Sequence, residues 1–365
     1  LSDIDYHNIS KDATPFIYNF LLKRYNSGRR NRRIVMKRKL AMLLTLLLIT
    51  SLAACDTAKN PYEGANSMQL IPDAQFSTGF VVKSQKDHKN KDKVVDLGVF
   101  PYDKDKASAR WSIAQWDSGP CLWENRKTDM PDNVLTNGTD KKVEIKKGQV
   151  SLYLDSSGYY QGNPAIQGDY WPHLLIEQGS FAYKKLSNEE KIFYHADSEA
   201  MVLEFDIRLT EYEKTEIKGD WVRAAQLLMY FYVRSGKGDF LWFGLQLFDN
   251  RSDNTEHYIG YDGGKADASG AMIYSIGSRH VYKNSKRTLW KNKSPHPSNE
   301  WIHVKINILP YIEDAFNKGK EDGYFKAEDI SELYIDGMNY GFETIGTFKH
   351  SADIKNLSLT SYRYD

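Results

Sequence analysis

Along most of this chain the apolar positions recur every second residue, the period of a strand with one buried face. In 201–209 (MVLEFDIRL), Met201, Leu203, Phe205, Ile207 and Leu209 fall on one face, and Glu204, Asp206 and Arg208 on the other. Ile302, Val304, Ile306 and Ile308 alternate in the same way with His303, Lys305 and Asn307. The segments 149–154, 173–178, 225–233, 240–248, 271–276 and 354–360 read as further strands. Turn-forming runs separate them: Ser156-Ser157-Gly158, Ser235-Gly236-Lys237-Gly238 and Asp262-Gly263-Gly264. A helical pattern stands out over 310–320, where Pro310 suits a first helical position and Ile312 and Phe316 form an i,i+4 apolar pair. Many strands with almost no helix predict an all-β fold, a two-sheet jelly-roll sandwich with one short helix near 310–320. One inner face would build the core, and another sheet would bend into a concave, aromatic-lined groove.

The alternation is absent near the start. Met36 is followed by Lys37, Arg38 and Lys39, then by ten mostly apolar residues, 40–49 (LAMLLTLLLI). A membrane-crossing helix needs about 20 residues, so this run fits the apolar core of a secretory signal instead. Leu52-Ala53-Ala54-Cys55 matches the lipobox of bacterial lipoproteins, with cleavage before Cys55 and acylation of its thiol. The alternative is a buried N-terminal helix with a stray cysteine. Lipoproteins of this class carry several acyl chains, and several chains anchor stably where one does not. The expected organisation is 1–35 as an upstream leader or basic extension, 36–54 as signal peptide, 55–70 as a flexible tether and 71–365 as the β domain. The segment 83–93 (KSQKDHKNKDK) reads as an exposed charged loop. The partner this implies is a membrane, cell or outer, held through the lipid. Asp56 would favour inner-membrane retention under enterobacterial sorting rules.

Charge changes the picture once the signal is set aside. Residues 1–54 hold 10 Lys and Arg and 3 Asp and Glu, which leaves 39 basic and 45 acidic residues, a net charge of −6. That balance excludes nucleic acid as a natural partner, because phosphates demand a basic surface. With Cys55 acylated only Cys121 remains, so no intrachain disulfide forms and the core alone holds the fold. A lone cysteine between Pro120 and Leu122 reads as a buried small hydrophobe rather than a nucleophile. Aromatics are abundant, with 24 Tyr and 8 Trp. They serve equally to fill a large β core or to pack against sugar rings.

Three segments carry a family resemblance. Trp171-Pro172-His173-Leu174-Leu175-Ile176-Glu177-Gln178 resembles a signature of secreted jelly-roll proteins of the concanavalin A-like lectin/glucanase type. The stretches 242–251 and 334–348, followed by 354–359, support it. The resemblance covers roughly residues 94–365 and is to glycan-handling lipoproteins of Bacteroidetes, often placed on the cell surface. It implies a jelly roll and a polysaccharide or oligosaccharide ligand.

Glycoside hydrolysis on such a fold needs two carboxyl groups flanking the bond. Glu177, sharing a strand face with His173, and Glu343, which follows a Gly-rich turn around Gly337 and Gly341, are the candidate pair. Glu204-Phe205-Asp206 begins a known β-glucanase pattern, but position 209 is Leu, so the third acid is missing and a solvent face is the better reading. Tyr324-Phe325-Lys326-Ala327 copies an alginate-lyase motif without its Arg-rich strand or its Gln-x-His, and is read as coincidence. For sugar binding, Trp116, His173, Gln226, Trp242, Gln246, Asp249 and Arg251 supply stacking surfaces and planar hydrogen-bonding groups. No cofactor is expected, apart from a structural calcium that Asp249, Asp253 and Glu256 with Asn250 and Asn254 could ligate; the alternative there is a solvated loop. The chain is thus expected to bind polysaccharide outside the cytoplasm, as a capture protein or a glycoside hydrolase. The competing class is a structural or assembly lipoprotein of the envelope with no glycan ligand.

Overall fold

The computed structural model describes residues 61–84, 94–116, 120–166, 168–169, 171–220, 222–252, 255–263, 269–291 and 294–364. The chain divides into two units, Leu1–Glu63 and Gly64–Asp365. The signal segment and Cys55 lie outside the described residues, and the architecture below is that of the second unit.

Eighteen strands are seen among the described residues. One sheet contains β1 (Asn66–Gln69), β5 (Val134–Thr136), β6 (Lys141–Lys146), β7 (Gln149–Asp155), β9 (Ala200–Lys214), β16 (Ile302–Asn307) and β18 (Phe348–Arg363). Its order is β16-β9-β18-β7-β6-β5, with β1 also paired to β18. The other contains β2 (Phe80–Lys83), β3 (Asp96–Phe100), β4 (Trp111–Ala114), β8 (His173–Gln178), β10 (Ala224–Ser235), β11 (Phe240–Asp249), β12 (Tyr258–Tyr261), β13 (Met272–Ile276) and β17 (Leu333–Ile345). Its order is β12-β13-β11-β10-β17-β8-β4-β2-β3. A short ribbon, β14 (Trp290–Lys291) with β15 (Ser294–Pro295), stands apart. The second sheet is antiparallel except at β11–β13 and β2–β4.

The two-residue period decides which face is buried. On β9 Leu203, Phe205 and Ile207 are buried, as are Leu227, Met229 and Phe231 on β10 and Phe243, Leu245 and Leu247 on β11. These inward rows form a single core cluster running from Leu70 to Leu359, wholly inside the second unit, so that unit carries its own core. Each large side chain buried there contributes about 1.5–3 kcal/mol. The result is the two-sheet jelly-roll sandwich that the alternation predicts. A helix, Leu309–Glu321, lies beside it and buries Ile312, Ala315 and Phe316. It begins one residue before Pro310, and three four-residue helical turns accompany it.

The expected strands all form, with small shifts of boundary. Three other features differ from the sequence reading. Asn66–Gln69, within the expected tether, is a strand on β18. The stretch around Gly337 and Gly341, read as a turn, is the interior of the 13-residue strand β17. Gly341 has φ of +150°, and a Cβ there would lie 2.2 Å from the Leu174 carbonyl oxygen, so glycine permits close strand pairing rather than a turn. Finally, β18 runs unbroken over 16 residues through two irregularities in its pairing with β9. Asn356, at φ +53°, sits inside the second.

Candidate functional site

The outer face of the second sheet presents its polar groups in register. Glu343 on β17 pairs with His173 on β8 to one side and with Gln226 on β10 to the other. Gln226 in turn pairs with Asp249 on β11. Directly opposed residues share a face, so His173, Glu343, Gln226 and Asp249 form one row across four strands. His173 Nε2 lies 3.4 Å from Glu343 Oε1, and its Nδ1 contacts the Trp171 carbonyl oxygen. The Trp116 ring stands 5.5 Å from the imidazole.

Asp249 is the best-secured group in the row. Arg251 donates from Nε to Oδ1 at 2.9 Å and from a terminal nitrogen to Oδ2 at 2.6 Å, and Gln226 Nε2 donates to Oδ2 at 2.7 Å. Burial pushes the Asp249 carboxyl up, but the hydrogen bonds and charge of Arg251, aided by Gln226, outweigh it and hold it below the ordinary Asp range. Arg251 also lies over the Trp171 ring, 5.8 Å from its centroid.

Glu343, Gln226 and Asp249 of this row floor a cleft of about 440 Å³, with His173 beside them outside its lining; the volume is within the size range of ligand sites. Trp171, Tyr258 and Tyr261 form its aromatic rim, and Leu228, Tyr230, Gln246 and Ile273 complete the floor. Tyr258 is 48% exposed, which leaves it open to a ligand, whereas Tyr261, on the other face of the same strand, packs its ring against Tyr324 and donates its hydroxyl to Asp322 at 2.8 Å. Two rings are laid down by glycines. Tyr230 crosses Gly244, where a Cβ would come within 2.3 Å of its Cδ1, and reaches Ser275 Oγ at 2.8 Å. Tyr258 lies over Gly260 in the same fashion. Carboxylates dominate the lining: Glu343 and Asp262 stand against Arg251, which is already paired.

The structure therefore brings together His173, Gln226, Gln246, Asp249, Arg251 and Glu343, with Trp116 touching the row through His173. Two expected residues fall elsewhere on the same face. Trp242 packs edge-to-face with Tyr230, Tyr232 and Phe240, beyond the cleft. Glu177 pairs with Asn339 of β17 and Ser112 of β4. Burial pushes its carboxyl above the ordinary Glu value, against the opposing pull of Lys83. Four residues of register separate it from Glu343, roughly 13 Å along the strand at ~3.3 Å per residue. Catalytic carboxyl pairs stand about 5–9.5 Å apart, so the backbone does not set Glu177 and Glu343 as a facing pair. Tyr230, Tyr258 and Tyr261 were missed by sequence reasoning. The available signal was the Tyr-x-Gly spacing at 258–260.

The remaining motifs are structural. Glu204 pairs with Lys305, and Asp206 with His303 and Asn356, on the outer face of the first sheet. Phe325 is buried against Phe316, while the Lys326 and Ala327 amides donate to Asp239. Cys121 is buried and accepts from Gln115. Both Asp249 oxygens are occupied by Arg251 and Gln226, Asp253 and Asn254 lie outside the described residues, and among those described no group of three or more acidic, His or Cys side chains is placed to hold a metal ion.

No protein-family model matches the chain, and no curated protein matches it. Among solved structures it is similar to the xyloglucanase domain of NopAA, a type three effector from Sinorhizobium fredii in complex with cellobiose, at 11% identity and a TM-score of 0.33, over 60% of this chain and 86% of that one. It is also similar to the native family 12 xyloglucanase from Bacillus licheniformis, at 8% identity and a TM-score of 0.36, over 63% and 91%. A third is endoglucanase cel12A from Rhodothermus marinus, at 11% and 0.32, over 61% and 86%. Likeness at this level assigns no activity, and none of these structures groups the chain with lipoproteins of Bacteroidetes. The fold stands on its own two sheets, and the function on the cleft.

Proposed function

We propose that this chain is a lipid-anchored extracytoplasmic protein that captures neutral polysaccharide in the cleft over β8, β17, β10 and β11. The observation that carries this reading is the in-register row Glu343, Gln226 and Asp249, flanked by His173, beneath Trp171 and Tyr258. Sugars offer an apolar ring face and a belt of hydroxyls. Exposed aromatic rims serve the first, and planar side chains held by their neighbours serve the second. An unpaired excess of carboxylate over cation disfavours uronates and sulfated sugars here.

Capture fits the row better than hydrolysis. The acid nearest Glu343 along the row is Asp249, which is fixed by Arg251 and Gln226 rather than free to take or give a proton. The anchor at Cys55 rests on the signal pattern of 36–55 alone.

A glycan-array screen of residues 64–365, with a reducing-sugar assay on every hit, tests the reading. Binding to neutral glycans without sugar release is the expected result. Release of sugar would make the protein a hydrolase. Absence of binding to any plant, host or microbial glycan would leave a structural role in the envelope.

A further inference from the structure

We infer that the segment following β13 builds a second binding site, for an anionic sugar such as a uronate or a sulfated residue, separate from the cleft and opposite to it in charge. The site is a cavity of about 490 Å³ at the edge of the first sheet, lined by Leu209 of β9 and Ile302 of β16 together with Lys286, Arg287, Trp290 and His296.

The walls are fixed by backbone and side-chain hydrogen bonds. The His296 amide donates to the Leu289 carbonyl at 3.0 Å, and the Ser298 amide to that of Leu209 at 2.7 Å. Thr288 Oγ1 donates to the Trp290 carbonyl at 2.9 Å. The indole of Trp290 packs against Phe248 with centroids 5.4 Å apart, so a half-buried aromatic face is held rigidly in the cavity. A rigid aromatic surface is what a pyranose ring stacks on at low entropic cost.

Charge identifies the class of sugar. The charged residues lining the cavity are Lys286 and Arg287 against one carboxylate, Glu300. Glu300 pairs with Arg287, but both side chains are more than half exposed, so water screens the pair and a competing anion can displace it. Among the described residues none forms an ion pair with Lys286, and Lys286, Arg287 and His296 are all exposed. The guanidinium of Arg287 offers a planar fork for a carboxylate or sulfate, and Lys286 adds a point charge. An anionic membrane surface would also attract these cations. Interfacial binding, however, needs exposed apolar side chains to insert, and the large exposed hydrophobics of the described residues all lie outside 278–305.

The test is titration calorimetry of residues 64–365 with trigalacturonate and with a heparin-derived tetrasaccharide, at low and moderate salt. The expected result is binding of at least one probe that weakens with salt. Lys286→Glu should weaken it about tenfold or more, the scale of one charge-assisted hydrogen bond, and Trp290→Ala should do likewise. Lys286 is exposed, so Lys286→Glu keeps the fold intact and serves if Trp290→Ala does not fold. Glu343→Ala, in the cleft, should leave this binding unchanged. Failure of both probes to bind, an equal loss in Glu343→Ala, or binding to phosphatidylglycerol vesicles in place of either sugar would each overturn the assignment. None of these outcomes depends on whether the cleft binds neutral glycan.

Discussion

Glu343 sits between His173 and Gln226 in the strand register, its Oε1 3.4 Å from His173 Nε2. This places a carboxylate in the lining of the cleft with a ring nitrogen to orient it. Glu343→Ala should weaken binding of a neutral oligosaccharide about 10- to 100-fold, the cost of losing one hydrogen bond to a charged group. His173→Ala should act in the same direction through loss of that orientation. Calorimetric titration of both variants checks this, and an affinity within about twofold of the wild type would remove Glu343 from the site.

Arg251 holds Asp249 in place, and its loss should be felt in both affinity and stability. The Asp249 carboxyl is held below the ordinary Asp range when folded. Its contribution to stability is therefore present above the unfolded Asp value near 4 and lost as pH falls through the folded one. Arg251→Ala should cost about 1 kcal/mol at pH 7, the low end for such bonds because the Arg251 side chain is 47% exposed. Denaturant unfolding should show variant and wild type converging as pH falls below the ordinary Asp range. A difference that stays constant with pH would mean Arg251 acts through packing alone.

His350 should impose an acid limit on stability. Its ring is buried and stacked 3.9 Å from Phe342, with Nε2 3.1 Å from Thr344 Oγ1. Burial pushes its pKa down to about 3. The unfolded chain takes up this proton below about 6.5 while the folded chain refuses it, so stability falls with acidification by up to about 1.4 kcal/mol per pH unit. His350→Gln should lower stability at pH 7 but flatten the slope between pH 6.5 and 4. Urea unfolding at four pH values distinguishes the two, and unchanged slopes would show that the imidazole charges without cost.

Lys141 should act at the other end of the scale. It is buried, and burial pushes its pKa down to about 7. Between pH 7 and 10.5 the unfolded chain binds the proton and the folded chain does not, so stability should rise with pH across that window. Gln115 Oε1 accepts from Lys141 at 2.9 Å but also from the Leu122 amide at 2.8 Å, so it stays satisfied without the lysine. Lys141→Met should stabilise the protein at pH 7 by removing a buried amine whose charged form is disfavoured there, and abolish the rise. Thermal melts from pH 7 to 10 check both, and destabilisation at pH 7 would contradict the desolvation argument.

Much of the sandwich was legible because its inner rows alternate so strictly. The segments 201–209, 240–248 and 302–308 state their buried face in the sequence itself. β17 was not legible, because Gly337 and Gly341 imitate a turn; only the pairing with β8 shows that they admit the Gln178 and Leu174 carbonyls. The short strands β2, β4 and β5 offered too few alternating positions to stand out. In the cleft, residue type pointed to Gln226, Gln246, Asp249 and Arg251. Trp242 and Glu177 share their face but not their end of the sheet, and position along a strand follows from register, which a single sequence does not state. Tyr258 belongs to the edge strand β12, whose pairing with β13 sets it opposite Ser275 on the cleft face.

The most direct test of the cleft is hydroxyl-radical footprinting of residues 64–365 with and without the neutral oligosaccharide that binds best. Trp171 and Tyr258 should be protected by the ligand, while Trp242 and Trp290 oxidise at unchanged rates. Protection at Trp242 or Trp290 with Trp171 and Tyr258 left as reactive as before would contradict the assignment of the cleft.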